Sequence, residues 1–447
     1  MVTALWRRPG ILAALSGAVG LSLVLASCTG GSPAADGGGT TADESDCTAY
    51  ERYGDLSGTA VSVYAPLTGA EAQSHVDSYL PFERCTGADV RYEGSREFEA
   101  QLPVRIEGGR APDIAYLPQP SLLAALVRDT GAVIPAPQQV ATNVERYFPE
   151  TFRQAGSVDG TLYAAPLGAT VKSYVWYSPT AFAENGYRVP TTWDEMIALS
   201  DRIAADGGTP WCAAIGSGAA TGGPLTDLLE DAVLREAGPE VYDRWVAHEI
   251  PFDDPQVARA LDRVGGILKN PRYVVDLTAD AAVLEGDCFM MRRADRYAAD
   301  WPEGTDIAED GQVFAFPLPP LEADAPPPVL VDGELVVAFD DRPEVAGFQA
   351  YLSSPEWADE KAKATTALGR SGWISANSGL DPANLASPID RASVEILQST
   401  ETVLRFDGSD LMPGPVGSGT FPAAMTNWVD GASTAEALTL IEASWPQ

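Results

Sequence analysis

Hydrophobic and polar residues alternate along three short stretches of the chain. The stretches are residues 60–64, 88–92 and 113–117. Strict alternation places the apolar side chains on one face of an extended strand, so each stretch predicts a half-buried β-strand. Longer segments with the apolar spacing of a helix separate these stretches. Because strands and helices alternate along the chain, the pattern predicts α/β layers.

Residues that cap helices mark the start of several predicted helices. They are Thr192, Asp254, Ser354 and Ser433. Thr192 and Ser433 are each followed three residues later by a glutamate, which is the capping-box pattern. Asp254 and Ser354 each precede a proline, which is favoured at the first helical position. The glycines at 207 and 208 predict the end of the helix that starts after Thr192.

The first residues of the chain have the pattern of an export signal. Arg7 and Arg8 precede an uncharged apolar run over residues 11–27, and small residues lead directly to Cys28. Such a pattern defines a cleaved signal, and a cysteine at the cut resembles the lipobox of bacterial lipoproteins. We expect a signal peptide over residues 1–27, a lipid on Cys28 at the outer face of the cell membrane, and a flexible tether over residues 28–47. The alternative is a membrane-spanning anchor, for which this run is at the short limit.

Composition limits what the rest of the chain can do. The chain has 447 residues and a formal net charge of −34, and no second apolar run is long enough to span a membrane. About 400 residues follow the signal, which suits two domains rather than one core. A surface this acidic repels nucleic acid and anionic lipid, so neither is an expected partner.

Cysteine usage also favours an exported protein. With Cys28 assigned to lipid, an even number of cysteines is left: Cys47, Cys85, Cys212 and Cys288. An even number suits disulfides in an oxidising compartment. The cysteines lack zinc-knuckle spacing and the chain has only 2 histidines, so we expect no metal site. Three pairings are open. We favour Cys47 with Cys85 and Cys212 with Cys288, because each pair then lies within one predicted domain.

The chain lacks the short motifs of several enzyme classes. It has no Gly-x-Ser-x-Gly elbow, no His-Glu-x-x-His and no phosphate-binding loop. Residues 216–221 come near a dinucleotide-binding pattern, but the third glycine is absent. We interpret this segment as a polar loop aimed at a ligand, with Ser217 and Thr221 as candidate contacts. The alternative function is a secreted glycoside hydrolase, which needs two carboxylates at a defined separation.

Several segments resemble those of extracellular solute-binding proteins of the sugar-binding type. Residues 109–114 resemble that family's Gly-x-x-Pro-Asp-Ile signature, and residues 159–166 resemble its crossing into the second domain. Residues 176–179 and 190–195 are similar to its Trp-Tyr and Pro-x-Thr-Trp-Asp-Glu stretches. These segments lie in the family's order, and the resemblance covers nearly all of residues 48–447.

Within that family the sequence is most similar to the α-glucoside-binding branch. Residues 209–212, 242–245 and 409–414 resemble segments of that branch, whose paired cysteines match Cys212 and Cys288. The chain departs from the branch at Gly223, Leu228, Met291, Arg293 and Asp295. Because these positions are expected near the sugar, the resemblance leaves the identity of the sugar open.

The resemblance implies a two-lobed periplasmic-binding-protein fold with a hinged ligand cleft between the lobes. We expect lobe 1 to hold residues 48–167 and 313–353, and lobe 2 to hold residues 168–312 and 354–447. The implied function is to capture an α-glucoside or a similar oligosaccharide and deliver it to the permease subunits of an ABC importer. We expect a monomer without a cofactor and without enzymatic activity.

A sugar site needs flat aromatic rings and polar groups that bond hydroxyls. Trp373 lies in the turn-like residues 370–375, where relatives place a stacking aromatic. Lys172 interrupts an apolar crossing segment, and because a buried lysine is costly unless paired, we expect it to reach the cleft or a carboxylate. Glu97 and Gln119 follow predicted strands, at the strand ends where α/β sheets bind ligands.

Five further residues are candidate ligand contacts with a structural alternative. They are Trp211, Phe421, Trp428, Asp295 and Arg296. For the three aromatic residues the alternative is packing in the core. For Asp295 and Arg296, which follow a predicted strand of the second lobe, the alternative is an ion pair on the surface.

Overall fold

A computed structural model describes residues 47–213, 215, 222–274, 282–323 and 325–446. They belong to the unit Asp46–Gln447. The predicted signal peptide, the lipidation site Cys28 and the candidate contacts Ser217 and Thr221 lie outside the described residues. Within the described ranges, no helix combines the length and the apolar character that crossing a bilayer requires.

The three strands predicted from alternation are confirmed as the first three strands of the structure. The strands are β1 (Ala60–Ala65), β2 (Asp89–Gly94), β3 (Ile114–Leu117), β4 (Ser157–Val158), β5 (Thr161–Leu162), β6 (Ala164–Pro166), β7 (Thr170–Val171), β8 (Tyr174–Tyr177), β9 (Trp211–Cys212), β10 (Met290–Arg292), β11 (Phe314–Pro317), β12 (Pro328–Asp332), β13 (Leu335–Ala338) and β14 (Val403–Phe406).

The structure also has 17 α-helices among the described residues. They are α1 (Gly69–Thr86), α2 (Phe98–Glu107), α3 (Pro120–Thr130), α4 (Gln138–Tyr147), α5 (Glu150–Ala155), α6 (Pro179–Asn185), α7 (Trp193–Ala205), α8 (Gly223–Ala237), α9 (Pro239–Val246), α10 (Pro255–Leu268), α11 (Ala282–Glu285), α12 (Pro343–Leu352), α13 (Pro355–Ala367), α14 (Pro388–Gln398), α15 (Gly408–Leu411), α16 (Phe421–Val429) and α17 (Thr434–Glu442). Helical turns of the 3-10 type span Thr48–Tyr53, Asp295–Ala299 and Pro382–Asn384, and a π-helical turn spans Pro415–Thr420.

The first sheet has the strand order β2-β1-β3-β13-β6. β1 pairs in parallel with β2 and β3, while β13 runs antiparallel to β3 and β6. Every residue of β3 and β13 is buried. The strand predicted over residues 113–117 is therefore present, but it is a continuous apolar run covered on both faces and not the half-buried strand that alternation predicts. Because β1, β2 and β3 are parallel, their carboxyl ends meet at one edge of this sheet.

The second sheet has the order β11-β8-β10-β9, and a third sheet has the order β14-β12-β7. The chain leaves the first sheet at β6, adds β7 to the third sheet and enters the second sheet at β8. It returns from β11 through β12 of the third sheet to β13 of the first. The third sheet therefore carries the crossings between two α/β lobes, and the predicted two-lobed α/β fold is confirmed.

The predicted lobe boundary at residues 353 and 354 is wrong. α13 packs against α1 of the first lobe, where Trp357 Nε1 donates a hydrogen bond to Ser78 Oγ at 3.0 Å. The apolar face of α13 is therefore covered by the first lobe, although this helix follows the second crossing. The boundary lies beyond α13.

The predicted helix starts are confirmed by their caps. The side chains of Thr192, Asp254, Ser354 and Ser433 each accept a hydrogen bond from a backbone N–H in the first turn of α7, α10, α13 and α17. At Ser433 the capping box is complete. At α7 the carboxylate of Glu195 instead accepts from Thr191.

Both predicted disulfides are present. Cys47 is bonded to Cys85, which lies at the end of α1, and the two Cα atoms are 5.4 Å apart. Cys212 of β9 is bonded to Cys288, just ahead of β10, with Cα atoms 5.6 Å apart. Since β9 and β10 are paired in parallel, the second bridge joins two neighbouring strands of one lobe.

Candidate ligand-binding cleft

Two chain segments cross side by side between the lobes. One runs from β6 through Gly168 to β7, and the other from β12 through Gly333 to β13. A Cβ added to Gly333 would clash with the carbonyl oxygen of Gly168, so glycine is required for this close approach. Asp332 and Glu334 flank Gly333 and are both partly exposed. Two carboxylates therefore stand at the crossing, where the lobes meet.

Lys172 follows β7 and is surrounded by carboxylates. Its Nζ lies 3.2 Å from Asp227 Oδ1 and 3.1 Å from Asp332 Oδ2, and it also contacts Asp407. Burial opposes its charge, but the carboxylates outweigh burial and raise the pKa of Lys172 well above its ordinary value. The prediction that Lys172 reaches a carboxylate is confirmed.

A second cation, Arg292 of β10, extends this network into the second lobe. Its guanidinium lies 2.7 Å from Asp227 Oδ2 and 2.7 Å from Asp231 Oδ2. Asp231 also pairs with Arg235 at 2.9 Å. Burial would raise the pKa of Asp227, but Lys172 and Arg292 lower it to about 2. These buried charges are paired and hydrogen-bonded, so they fix α8 to the strands rather than remaining available to a ligand.

Three carboxylates beside Lys172 have the spacing of a cation site. Oxygens of Asp332, Asp407 and Asp410 lie within 4.8 Å of one another. The ammonium group of Lys172 already contacts Asp332 and Asp407. Two of the three carboxylates are therefore already paired with an internal cation.

Trp373 lies at the crossing as well. Its ring is partly exposed and packs edge-on against Trp357, with centroids 5.7 Å apart. Its Nε1 is buried without a hydrogen-bond partner. A Cβ added to Gly168 would lie 3.4 Å from this nitrogen and 3.1 Å from Glu334 Oε2. An unpartnered indole N–H and a carboxylate thus share one side of the crossing.

Burial controls the charge of Glu334. Burial, and then the charge of Glu71, raise the pKa of Glu334 to about 7, while Lys361 acts in the opposite direction. This carboxyl group is therefore protonated more readily than an exposed glutamate. It can accept a hydrogen bond from a hydroxyl group when ionised and donate one when protonated.

The edge of the first sheet borders this crossing. The register pairs Leu335 with Leu117 at the end of β3 and with Pro166 at the end of β6. Gln119, two residues after Leu117, therefore lies at the same edge as Glu334. The parallel strand β2 also ends at this edge, three residues before Glu97.

The comparisons with known proteins agree with this architecture. Residues 64–359 match the family model described as bacterial extracellular solute-binding protein. The chain belongs to that family. It is a solute-binding protein of the kind that serves ABC sugar importers, it works outside the cytoplasm, and it is not an enzyme.

Two curated relatives match the binding protein over most of their length. The osmoprotective compounds-binding protein GgtB of Synechocystis is 38% identical over 407 residues, which cover 88% of this chain and 94% of the relative. The alpha-glucosides-binding periplasmic protein AglE of Rhizobium meliloti is 32% identical over 427 residues, which cover 89% of each chain.

Solved structures share the fold at low sequence identity. The bacterial solute receptor AcbH has a TM-score of 0.70 at 16% identity and covers 86% of this chain and 96% of its own. The unliganded form of RafE from Streptococcus pneumoniae has a TM-score of 0.68 at 17% identity and covers 87% of this chain and 98% of its own. At this level of identity the similarity establishes the fold alone.

Three aromatic candidates of the binding protein lie in its core. Trp211 is 5% exposed and donates from Nε1 to Ser200 Oγ at 2.9 Å. Phe421 and Trp428 are 0% and 1% exposed and pack in the core of the second lobe. The structure therefore favours the alternative for these residues, because their rings offer no open face to a ligand.

Asp295 and Arg296 are neighbours in one helical turn, but one side chain is buried and the other is exposed. Asp295 is buried, and its Oδ2 accepts a hydrogen bond from the backbone N–H of Val171 at 3.2 Å. Arg296 is exposed and lies in the fields of Asp332 and Asp227. The interpretation of the two residues as a surface ion pair is wrong, because Asp295 braces the crossing segment from inside.

Glu97 is exposed at the start of α2, and Gln119 is half-buried at the start of α3.

Asp332 and Glu334 were missed by the sequence analysis. Both interrupt otherwise apolar runs on either side of Gly333. Charged residues flanking a glycine between two buried strands were the signal that could have identified them.

Proposed function

We propose that this binding protein captures an α-glucoside, or another small neutral compound rich in hydroxyl groups, in the cleft between its lobes. It then delivers the ligand to the permease subunits of an ABC importer. The names of the two relatives support this class, since GgtB is described as binding osmoprotective compounds and AglE as binding α-glucosides.

The observation that carries this proposal is the combination of Trp373 and Glu334 at the lobe crossing. A sugar ring has apolar C–H faces and a rim of hydroxyl groups. The partly exposed indole fits the apolar face. Its unpartnered Nε1 is a donor, and the nearby carboxyl group of Glu334 is an acceptor, for hydroxyl groups.

Other polar groups complete the proposed site. Asp332 and Arg296 would bond hydroxyl groups at the crossing, and Gln119 and Glu97 would do so from the edge of the first lobe. Lys172 would act mainly by holding Asp332 in place, because its ammonium group is already paired. Closure of the lobes on the ligand would bury these hydroxyl groups, which must then be hydrogen-bonded.

We further propose that Cys28 carries a lipid that holds the protein at the outer face of the membrane, and that the protein acts as a monomer. The lipobox-like residues that end at Cys28 support the anchor. An anchored receptor stays close to the importer, which raises its effective concentration there.

A thermal-shift screen of mono-, di- and trisaccharides tests the ligand class. A ligand at about 100 times its dissociation constant should stabilise the protein by about 2.7 kcal/mol. Maltose, trehalose and sucrose represent α-glucosides, and cellobiose is the matched β-linked control. A screen in which no saccharide raises the melting temperature would contradict the proposal.

A further inference from the structure

The side chain of Lys361 lies behind Trp373. It is on α13 and only 1% exposed. Its Nζ lies 4.7 Å from the centroid of the Trp373 ring. The ammonium group donates hydrogen bonds to Ser74 Oγ at 2.7 Å and to Thr365 Oγ1 at 3.1 Å. These two bonds hold the charge over one face of the indole.

Trp373 itself belongs to a segment with few restraints of its own. Residues 370–373 form no regular structure. Three hydrogen bonds fix this segment. The backbone N–H of Arg370 donates to the carbonyl oxygen of Thr365, the N–H of Gly372 donates to the carboxyl group of Asp390, and the carbonyl oxygen of Ile374 accepts from the N–H of Ala169. The orientation of the ring therefore depends on what touches the ring. Those contacts include the edge of Trp357 and the ammonium group of Lys361.

We propose that Lys361 is a positioning residue of the ligand cleft, whose ammonium group holds the Trp373 indole in the orientation that stacks on the ligand. The cation is attracted to the electron-rich face of the ring. This inference rests on the proposed function, because stacking on the ligand is the role proposed for Trp373.

Packing alone does not explain the charge at this position. Taking an ammonium group out of water is costly, and an apolar side chain of similar length would fill the same space without that cost. The hydrogen bonds to Ser74 and Thr365 offset only part of this desolvation cost, because both acceptors are neutral. The carboxyl groups of Glu334 and Glu71 favour the charged form of Lys361, and the cation–ring contact is the interaction through which that charge acts on Trp373.

The protonation state of Lys361 should therefore affect how firmly the Trp373 ring is held in its orientation. Burial lowers the pKa of Lys361 to about 7, against the opposing charges of Glu334 and Glu71. The charged and titratable groups that face it are Glu334, Glu71, Arg370 and His75. The neutral amine that forms above this pH is not attracted to the ring face, so the hold on Trp373 should weaken as pH rises through neutrality.

A ligand-free measurement tests the contact directly. The full chain is labelled with 5-fluorotryptophan, and the Trp373 resonance is assigned with Trp373→Phe. Two carboxyl groups close to Trp373 also have raised pKa values, Glu334 at about 7 and Asp390 at about 8, so the titration is measured in the Glu334→Gln/Asp390→Asn background. There we expect the fluorine resonance to shift with pH around a midpoint below about 7, because Glu334 no longer favours the ammonium group, and we expect Lys361→Met to abolish that shift. Lys363→Met is the matched control, because Lys363 lies on the same helix, is 52% exposed and pairs with Glu360. A pH-independent resonance, or one that titrates alike in Lys361→Met, overturns the proposal.

The second measurement is the affinity for maltose, trehalose and sucrose, determined by calorimetric titration. At pH 6 we expect Lys361→Met to weaken binding about 10-fold, as loss of a desolvated cation–π contact would. At pH 8.5 the variant and the wild type should differ by less than about 2-fold, because the wild-type lysine is then neutral. An equal loss at both pH values would mean a purely structural role and would contradict the proposal.

Two controls separate the possible failures. If none of the three sugars binds the wild type, the proposed ligand class fails, while the fluorine titration still decides the role of Lys361. If Lys361→Met does not fold, Ser74→Ala replaces it, because removing an acceptor of the ammonium group favours the neutral amine. We then expect the fluorine midpoint to move to lower pH, and an unchanged midpoint contradicts the inference.

Discussion

Lys172 Nζ lies 3.2 Å from Asp227 Oδ1, and this ion pair ties the first crossing segment to α8 of the second lobe. The same ammonium group reaches Asp332 on the second crossing segment at 3.1 Å. One cation thus joins both crossings and the second lobe. The carboxylate of Asp332, which we propose as a ligand contact, is therefore held by the interactions that stabilise the fold.

Replacing Lys172 by Met should destabilise the protein strongly. The substitution leaves Asp407, whose side chain is 1% exposed, without its cation. Removing one partner of a buried ion pair costs about 3–5 kcal/mol, because the remaining charge stays buried and unpaired. The free energy of unfolding, measured in urea at pH 7, should fall by that amount. Lys363→Met should change it by less than about 0.5 kcal/mol, and similar values for the two variants would contradict a stabilising role for the ion pairs of Lys172.

Replacing Trp373 by Ala should affect ligand binding more than stability. A central aromatic anchor contributes about 2–4 kcal/mol to binding, so the affinity for the bound sugar should fall about 30- to 1,000-fold. Calorimetric titration measures this loss. A residue that serves only the core would instead cost about 3–5 kcal/mol of folding stability, and Trp428→Ala provides that reference. Unchanged affinity together with a large drop in melting temperature would assign Trp373 to the core.

Much of the fold could be predicted from local sequence patterns. Alternation identified β1 to β3, and the capping residues Thr192, Asp254, Ser354 and Ser433 identified the helix starts, because these signals act within a few residues. The lobe that α13 joins could not be predicted in this way. The helix follows the second crossing along the chain, and only its packing against α1 shows where it belongs.

Less of the candidate ligand cleft could be predicted from the sequence. Lys172 could be assigned a carboxylate partner, since a buried lysine requires one. Its partners Asp227 and Asp407 lie far away along the chain, and a chain with 63 acidic residues offers no local way to choose among them. The sequence did not show that Trp211, Phe421 and Trp428 lie in the core. The residues around an aromatic side chain in the core resemble those around one in a cleft.

The proposed lipid anchor can be tested by mass. We expect intact-mass analysis of protein extracted from membranes to show a chain that begins at Cys28 and carries acyl groups. Cys28→Ser should release the protein from the membrane fraction, because a serine cannot take the thioether-linked lipid. A mature chain that begins elsewhere, or one that carries no added mass, would rule the anchor out.

Asp390 should make stability depend on pH. It is 2% exposed, and both of its oxygens accept a hydrogen bond from the N–H of Gly372 at 3.1 Å. Burial, and then the nearby Asp295, raise the pKa of Asp390 to about 8. The folded state therefore holds a proton between about pH 4 and pH 8 that the unfolded state releases, so the stability from this group falls as pH rises through that window.

The uncharged amide introduced by Asp390→Asn would imitate the protonated acid at every pH. Relative to wild type, the free energy of unfolding of Asp390→Asn should rise by at least about 1 kcal/mol between pH 5 and pH 8.5. The exposed control Asp430→Asn should give a constant difference, and a constant difference for Asp390→Asn as well would show that Asp390 is ionised in the folded protein.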